Sequence, residues 1–131
     1  MRTHRSFTVF AGVRKQSDAD ALKAERPSLR PVLVDVVDEA QCKAAAAAVA
    51  ADLAKDGLQL VGLVNNAGIS WRLPLELEKM DEVRAMYEVN VFGLMQSSQA
   101  FIPLLRAAGA AAGMLNIKPR PPAFPCACNY N

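Results

Sequence analysis

Three short, almost continuously apolar segments separated by helical patterns constrain the fold more than any other feature of the sequence. These segments are residues 7–11, 31–36 and 60–64. The first is rich in β-branched and aromatic residues, and the other two are rich in valine and leucine, as is typical of β-strands. Strands that are apolar on both faces and separated by helices form parallel sheets covered on both sides. The sequence therefore predicts an α/β fold, a partial doubly wound parallel sheet with flanking helices. It has three strands, or four if residues 114–117 form another.

Two of the intervening segments carry the end signals of helices. Residues 17–20 form a capping-box pattern that is expected to open a short helix ending near Glu25. Residues 38–41 repeat such a pattern before the alanine-rich stretch 44–54, and Gly57 follows as the expected C-cap. Both helices should pack on the predicted sheet.

The longest helical pattern covers residues 82–108, with Asp81 as the predicted N-cap. Pro103 interrupts the pattern, so we expect a kink there. Asn90 lies on the apolar face of this helix, at helical spacing from Leu94. A buried amide needs hydrogen-bond partners, so packing alone does not explain this residue.

Residues 118–131 differ in character from the rest of the chain. Four of the eight prolines fall in this segment, which shows no apolar periodicity. We therefore divide the sequence into a folded part, residues 1–117, and an irregular proline-rich tail, residues 118–131.

Charge and composition exclude several functional classes. The formal net charge of +2 is too small to indicate a nucleic-acid or anionic membrane partner. No apolar run approaches the roughly 18 residues of a membrane span, and no apolar signal segment follows the basic start, so we expect a cytoplasmic protein. Cys126 and Cys128 could chelate a metal, but the single histidine, His4, lies at the other end of the chain. Since a zinc site needs about four ligands, we expect no metal site.

Two polar segments near the centre of the chain carry a resemblance to a known family. Asn65-Asn66-Ala67-Gly68 ends the third apolar segment, and Asn90 lies within residues 86–93. Together they resemble the centre of the short-chain dehydrogenase/reductase family. Its members move a hydride between a nicotinamide cofactor and an alcohol or a carbonyl. The resemblance implies a partial Rossmann-like NAD(P)-binding domain in residues 1–117 and a small-molecule carbonyl or alcohol substrate for the full-length form.

The same resemblance assigns cofactor-binding roles to residues that follow the strands. Arg14, with Lys15 beside it, stands where an acidic residue would bind the ribose 2′-hydroxyl of NAD; a cation there suits a 2′-phosphate and implies NADP(H). Asp35 and Val36 stand where the family holds the adenine. An equal alternative is that Asp35 ends its strand or caps the next residues.

The turn after the third strand and the long helix supply the remaining implied roles. Asn66, Ala67 and Gly68 would lie against the nicotinamide-side ribose, because small residues let the backbone approach a ligand and Gly68 permits backbone angles closed to other residues. Asn90 would belong to the catalytic Asn-Ser-Tyr-Lys set, holding a water in a proton relay. The structural alternative for Asn90 is a core asparagine bonded to a neighbouring backbone.

Other family motifs do not occur in the sequence. There is no Thr-Gly-x-x-x-Gly-x-Gly loop, and neither Tyr87 nor Tyr130 begins a Tyr-x-x-x-Lys pair. The family's first strand normally lies between the strands at residues 7–11 and 60–64. Those two strands should therefore pair with each other, borrow a strand from another chain, or stay open, and we expect marginal stability alone.

Two hypotheses about function follow. The first is an NADP(H)-dependent short-chain oxidoreductase, of which this chain is a central fragment, inactive without its catalytic serine, tyrosine and lysine. The second is a non-catalytic interaction or regulatory product that pairs with a full-length relative. The helix at residues 82–108 belongs to a region that the family often uses for subunit pairing, which would also allow a homo-oligomer.

Overall fold

The computed structural model describes residues 7–70 and 73–117, and these residues form an α/β structure. The strands are β1 (Val9–Val13), β2 (Leu29–Leu33), β3 (Gly62–Asn65) and β4 (Gly113–Asn116). The α-helices are α1 (Gln16–Glu25), α2 (Glu39–Asp56), α3 (Met80–Tyr87) and α4 (Leu94–Ala107). A π-helical segment, Glu88–Gly93, joins α3 to α4, and short 3₁₀ turns occur at Leu75–Leu77 and Gly109–Ala111. The predicted proline-rich tail lies outside the described residues.

The strands pair in parallel, as their apolar patterns predict, but in two separate pairs. β1 pairs with β2, β3 pairs with β4, and β1 and β3 are not hydrogen-bonded to each other. Of the alternatives left open by the sequence, pairing of β1 with β3 is therefore not realised among the described residues. Strand ends differ from the predicted ones because each strand extends only as far as its neighbour. β2 thus ends at Leu33, and Asp35 and Val36 lie beyond it.

Helix α2 begins and ends where the sequence predicts, and it supplies most of the core. The Asp38 side chain accepts a hydrogen bond from Gln41 N at 3.0 Å, and Gly57 ends the helix with φ of 64°. The buried face of α2 consists of Cys42, Ala45, Ala46, Val49 and Leu53. This face lies against β2 and packs beside α4. The alanine-rich stretch is therefore a packed helix.

The predicted N-caps of the other two helices are wrong. Helix α1 begins at Gln16, and the backbone N–H groups of Asp18 and Ala19 both bond to Lys15 O at 3.2 Å. Because the helix starts earlier than predicted, Ser17 lies inside it and does not cap the N-terminus. The Ser17 hydroxyl contacts the Asp18 carboxylate instead. Helix α3 likewise starts two residues early. Val83 N bonds to Lys79 O at 3.0 Å, which places Asp81 inside the first turn.

The long predicted helix is interrupted at a different place from the expected one. Pro103 lies inside α4, which continues as an α-helix to Ala107. The departure from α-helical geometry is the π-helical segment Glu88–Gly93, which contains Asn90. Such segments insert an extra residue into a turn and often occur at functional sites.

Candidate functional site

Asn65, the last residue of β3, is the centre of a buried hydrogen-bond network. The residue is 7% exposed. Asn65 Nδ2 donates to Ser98 Oγ at 3.0 Å and to Asn116 Oδ1 at 2.9 Å. Ser97 Oγ donates to Asn65 Oδ1 at 3.1 Å. The network therefore ties the end of β3 to α4 and to the end of β4.

Sequence reasoning did not identify the partners of Asn65. Ser97 and Ser98 are buried, and Ser98 Oγ also donates to Leu94 O at 2.7 Å. A signal for Ser98 was present, because this residue lies four positions after Leu94 and seven before Leu105, on the same helix face. That spacing is the argument that singled out Asn90. Asn116 carried no comparable signal.

The three residues after Asn65 are exposed at the carboxyl end of β3. Asn66, Ala67 and Gly68 present their backbone and the Asn66 side chain to solvent, as a ligand-facing turn would. Positive φ values among the described residues occur at Gly57 and Gly109. Gly68 is not among them, so the turn does not draw on the positive φ that glycine permits. The absence of a side chain at Gly68 still keeps the turn open to close approach.

Asn90 pairs with the backbone of Ile69. Its Oδ1 accepts from Ile69 N at 2.9 Å, and its Nδ2 donates to Ile69 O at 2.8 Å. The Asn90 side chain thus pairs with the Ile69 backbone as a neighbouring strand would. The Ile69 backbone supplies the hydrogen-bond partners that this partly buried side-chain amide needs. This is the structural alternative that the sequence left open for Asn90. Through these two bonds Asn90 holds the turn formed by residues 66–68 against the π-helical segment.

The same π-helical segment reaches the residues that follow β2. Gly93 is buried, and a Cβ atom built on it would lie 2.7 Å from the Val36 Cγ2 atom. Only glycine permits this approach without displacing Val36. Gly93 and Asn90 therefore bring together the segments that follow β2 and β3.

Arg14 and Lys15 follow β1 at the same edge as the residues after β2. Val13 O accepts from Val34 N at 2.9 Å, so the first pair of strands ends at a common level. Both cations are exposed and stand beside the N-terminus of α1. Neither takes part in an ion pair among residues 7–70 and 73–117.

Asp35 is engaged in local structure after β2. Its Oδ1 accepts from Val37 N at 3.2 Å, and its own N–H donates to Gln41 Oε1 at 3.0 Å. These bonds match the strand-ending alternative for this residue. The buried Cys42 thiol lies beneath, 3.8 Å from Asp35 O. Burial raises the pKa of the Cys42 thiol, and the negative charges of nearby carboxylates, Asp38 first, raise that pKa further.

Metal-binding and membrane-spanning features are absent from the part of the chain that the structure describes. Within those ranges, no three histidine, cysteine or acidic side chains gather closely enough to hold a metal ion. Cys126 and Cys128 lie outside them. No described helix combines the length and the apolar character that crossing a bilayer requires.

Comparison with known proteins adds independent information about this arrangement. A family model described as short chain dehydrogenase matches residues 4–118. Mitochondrial D-beta-hydroxybutyrate dehydrogenase of Rattus norvegicus is 34% identical over 111 residues, which cover 79% of this chain and 32% of that protein. The chain thus spans about a third of the length of this relative.

Solved structures agree with the family match. A short-chain dehydrogenase from Streptomyces avermitilis superposes with a TM-score of 0.69 and 31% identity, covering 83% of this chain and 39% of that one. The NADPH-bound carbonyl reductase from chicken fatty liver gives a TM-score of 0.63 and 36% identity, covering 76% and 41% of the two chains. The chain therefore shares the fold of these enzymes over most of its own length.

Proposed function

Because the chain belongs to the short-chain dehydrogenase/reductase family, we propose that it is the central part of an NADP(H)-dependent oxidoreductase that interconverts an alcohol and a carbonyl. One observation carries the proposal beyond family membership. Gly93 and Asn90 join the segments after β2 and β3, so the residues matched to the family's cofactor site share one edge of the structure. Ligands bind beyond the carboxyl ends of strands in folds of this kind.

The proposed preference for NADP(H) rests on Arg14. This guanidinium is exposed, follows β1 directly and is accompanied by Lys15. A planar guanidinium suits a phosphate group because it can donate two parallel hydrogen bonds. The similar carbonyl reductase from chicken fatty liver has NADPH bound, which accords with this assignment.

The other proposed contacts follow from the residues at the ends of β2 and β3. Asp35 and Val36 would hold the adenine, and Asn66, Ala67 and Gly68 would lie against the nicotinamide-side ribose. The cofactor, when bound, supplies or accepts the hydride. The chain's own task is to hold the turn at residues 66–68 in place, which Asn90 does through Ile69. We thus propose that Asn90 acts as a positioning residue, which fixes this turn through its two hydrogen bonds to Ile69.

We also propose that this chain does not turn over substrate by itself. A tyrosine acid/base is normally assisted by a lysine four positions later, but Tyr87 is followed at that spacing by Val91. Loss of a positioned acid/base costs roughly 10²–10⁴ in rate. A cytoplasmic location stays a prediction, and the rat relative bears a mitochondrial name.

The cofactor assignment is tested by titrating the ¹⁵N-labelled chain with NADPH and, separately, with NADH. We expect NADPH to shift the amide resonances of Arg14, Asp35 and residues 66–68 at lower concentration than NADH does. Arg14→Ala should remove roughly tenfold or more of that preference, the effect of losing a charge-assisted hydrogen bond. Arg106→Ala, at an exposed arginine near the end of α4, serves as the matched control. Equal responses to both nucleotides, or shifts away from these segments, would contradict the assignment.

A second function is favoured by the surface of α3, the π-helical segment and α4. Met80, Tyr87, Val91 and Met95 are 57%, 58%, 39% and 50% exposed, although all four are large and apolar or aromatic. Exposed apolar surface of this extent marks interaction sites. We propose that this face pairs with a second copy or with a full-length relative, in which case the chain would act without catalysis.

Sedimentation analysis of the purified chain tests this second function. We expect a concentration-dependent dimer that Tyr87→Glu abolishes. Val37→Glu changes an apolar residue of 40% exposure away from this face and should leave the dimer intact. A monomer at all concentrations, with no complex when a full-length relative is added, would rule the pairing out.

A further inference from the structure

Hydrogen bonds to helix α2 fix the backbone on both sides of Val36. The N–H of Asp35 donates to Gln41 Oε1 at 3.0 Å, and the N–H of Val37 donates to Asp35 Oδ1 at 3.2 Å. The Cys42 thiol lies 3.6 Å from Val36 O, close enough for a weak sulfur hydrogen bond. Because Gln41 and Cys42 belong to the first turn of α2, residues 35–37 are anchored to that helix.

The contact between Gly93 and Val36 leaves no room for a side chain at residue 93. A Cβ atom there would lie 2.7 Å from Val36 Cγ2, and 3.2 Å from both Val36 Cβ and Glu88 O. Rotation of the valine side chain would move Cγ2 but would leave Cβ in place, and a β-branched side chain has few rotamers to choose from. The π-helical segment therefore fits against the anchored residues 35–37 only when residue 93 is glycine.

The same π-helical segment also holds the turn after β3. Asn90 lies three residues before Gly93, within the six-residue segment Glu88–Gly93. Its bonds of 2.9 Å and 2.8 Å to the Ile69 backbone make Ile69 follow any movement of this segment. An unbroken series of contacts therefore connects Val36 to Ile69 through one short piece of helix.

We propose that Gly93 is a positioning residue that sets the position of the adenine end of the cofactor site relative to its nicotinamide end. This inference rests on the proposed function, which places the adenine at residues 35–36 and the nicotinamide-side ribose at residues 66–68. A dinucleotide gains affinity from its two halves only when both halves reach their sites at once. Since residues 35–37 are anchored, a side chain at residue 93 displaces the π-helical segment and, with it, the turn at residues 66–68.

Binding of a whole dinucleotide and of its separate halves tests this role. The probes are NADPH, adenosine 2′,5′-bisphosphate and reduced nicotinamide mononucleotide, each titrated against the full ¹⁵N-labelled chain. We expect Gly93→Ala to weaken NADPH binding roughly tenfold or more and to leave the affinity for each half within roughly twofold. Gly113→Ala is the matched control, because a Cβ atom there would meet nothing within 4 Å. All three affinities should stay unchanged in that variant.

Amide hydrogen exchange of the ligand-free chain tests the same connection without any nucleotide. Gly93→Ala should speed exchange at Ile69 at least roughly threefold, because displacement of the π-helical segment strains both bonds from Asn90. Val36→Ala removes Cγ2, the atom at 2.7 Å. The double variant should therefore bring Ile69 exchange back to within roughly twofold of the Val36→Ala value. A general loss of stability would not be reversed in this way. Gly113→Ala should not change Ile69 exchange.

Val36→Ala alone supplies a measurement that does not depend on the folding of Gly93→Ala, which circular dichroism checks. Loss of Cγ2 removes the atom against which Gly93 packs, so the resonances of the Asn90 side-chain amide and of the Ile69 N–H should shift. Val37→Ala makes the same change at the adjacent valine, which is 40% exposed, and should leave these resonances in place. Equal responses to the two valine variants would overturn the proposal.

The remaining outcomes separate this proposal from the proposed function. If none of the three nucleotides binds, the proposed function is wrong, and the exchange experiments still decide whether Gly93 sets the position of residues 35–37 relative to Ile69. If NADPH binds but Gly93→Ala weakens all three nucleotides equally, or leaves Ile69 exchange unchanged, the positioning role is wrong and the proposed function stands. Selective weakening of NADPH, together with restoration by Val36→Ala, would support the positioning role.

Discussion

Replacing Asn65 with alanine should destabilise the protein strongly, whereas the same change at the adjacent Asn66 should not. Asn65 is 7% exposed and takes part in three side-chain hydrogen bonds. Each bond contributes about 1 kcal/mol, and a buried group left without a partner costs about 1–3 kcal/mol. The alanine variant leaves the Ser97 hydroxyl and the Asn116 amide oxygen without their partner. We therefore expect a loss of about 2–4 kcal/mol, a large part of the ~5–15 kcal/mol typical of a domain.

Urea unfolding followed by far-UV circular dichroism measures this difference. Asn66 is exposed, so Asn66→Ala should change the free energy of unfolding by less than about 0.5 kcal/mol. Ser97→Ala removes one partner and should cost about 1 kcal/mol. The double variant Asn65→Ala/Ser97→Ala should cost less than the sum of the single changes, because the stranded hydroxyl disappears with its partner. Equal unfolding midpoints for Asn65→Ala and Asn66→Ala would refute the reasoning.

Four further predictions follow from local structure. Asn90→Ala should speed amide exchange at Ile69, since it removes both bonds to that residue; unchanged exchange there would contradict the positioning role. Hydrogen bonds from the backbone N–H and the side chain of Gln41 lower the pKa of Asp38 below its ordinary value of 3.8. The ionised Asp38 cap therefore stabilises α2 at pH values above 3.8, and this stabilisation is lost as the pH falls through the lowered pKa. Helical ellipticity should drop over that acidic range. Asp38→Asn, which caps the helix without titrating, should not show this drop. Burial and the raised pKa of Cys42 should make its thiol react slowly with maleimide until urea is added, as peptide mapping will show; fast labelling of the folded chain would be inconsistent with this. The chain alone should be marginally stable, and a monomer whose thermal midpoint reaches the roughly 45–65 °C typical of mesophile domains would contradict this.

Local sequence signals predicted the elements whose formation depends on nearby residues. Apolar continuity predicted the first three strands and left the fourth open, and alternation with helices predicted their parallel pairing. Helix α2 follows from its cap at Asp38 and its end at Gly57. The N-caps predicted for α1 and α3 are wrong because a capping pattern does not determine which residue begins the first helical turn.

The candidate site was predicted in part, and the limit is visible in two adjacent residues. The sequence placed both Asn65 and Asn66 in one turn, but it could not tell which side chain is buried. That depends on where β3 ends relative to β4 and on which face of α4 lies above it. Ser98 and Asn116 accept the hydrogen bonds of the buried Asn65 side chain, and they lie 33 and 51 residues further along the chain.

The sequence by itself determined the α/β class, the parallel strands, the capped helix α2 and the family resemblance, because each depends on residues within one segment or one motif. Only the tertiary structure decided that Asn90 holds Ile69 and that the helix around it is π-helical. It also decided that, among the described residues, β1 pairs with β2 and β3 with β4, whereas β1 and β3 do not pair with each other. These features depend on hydrogen bonds between segments distant in sequence, and periodicity along one segment carries no information about its partners.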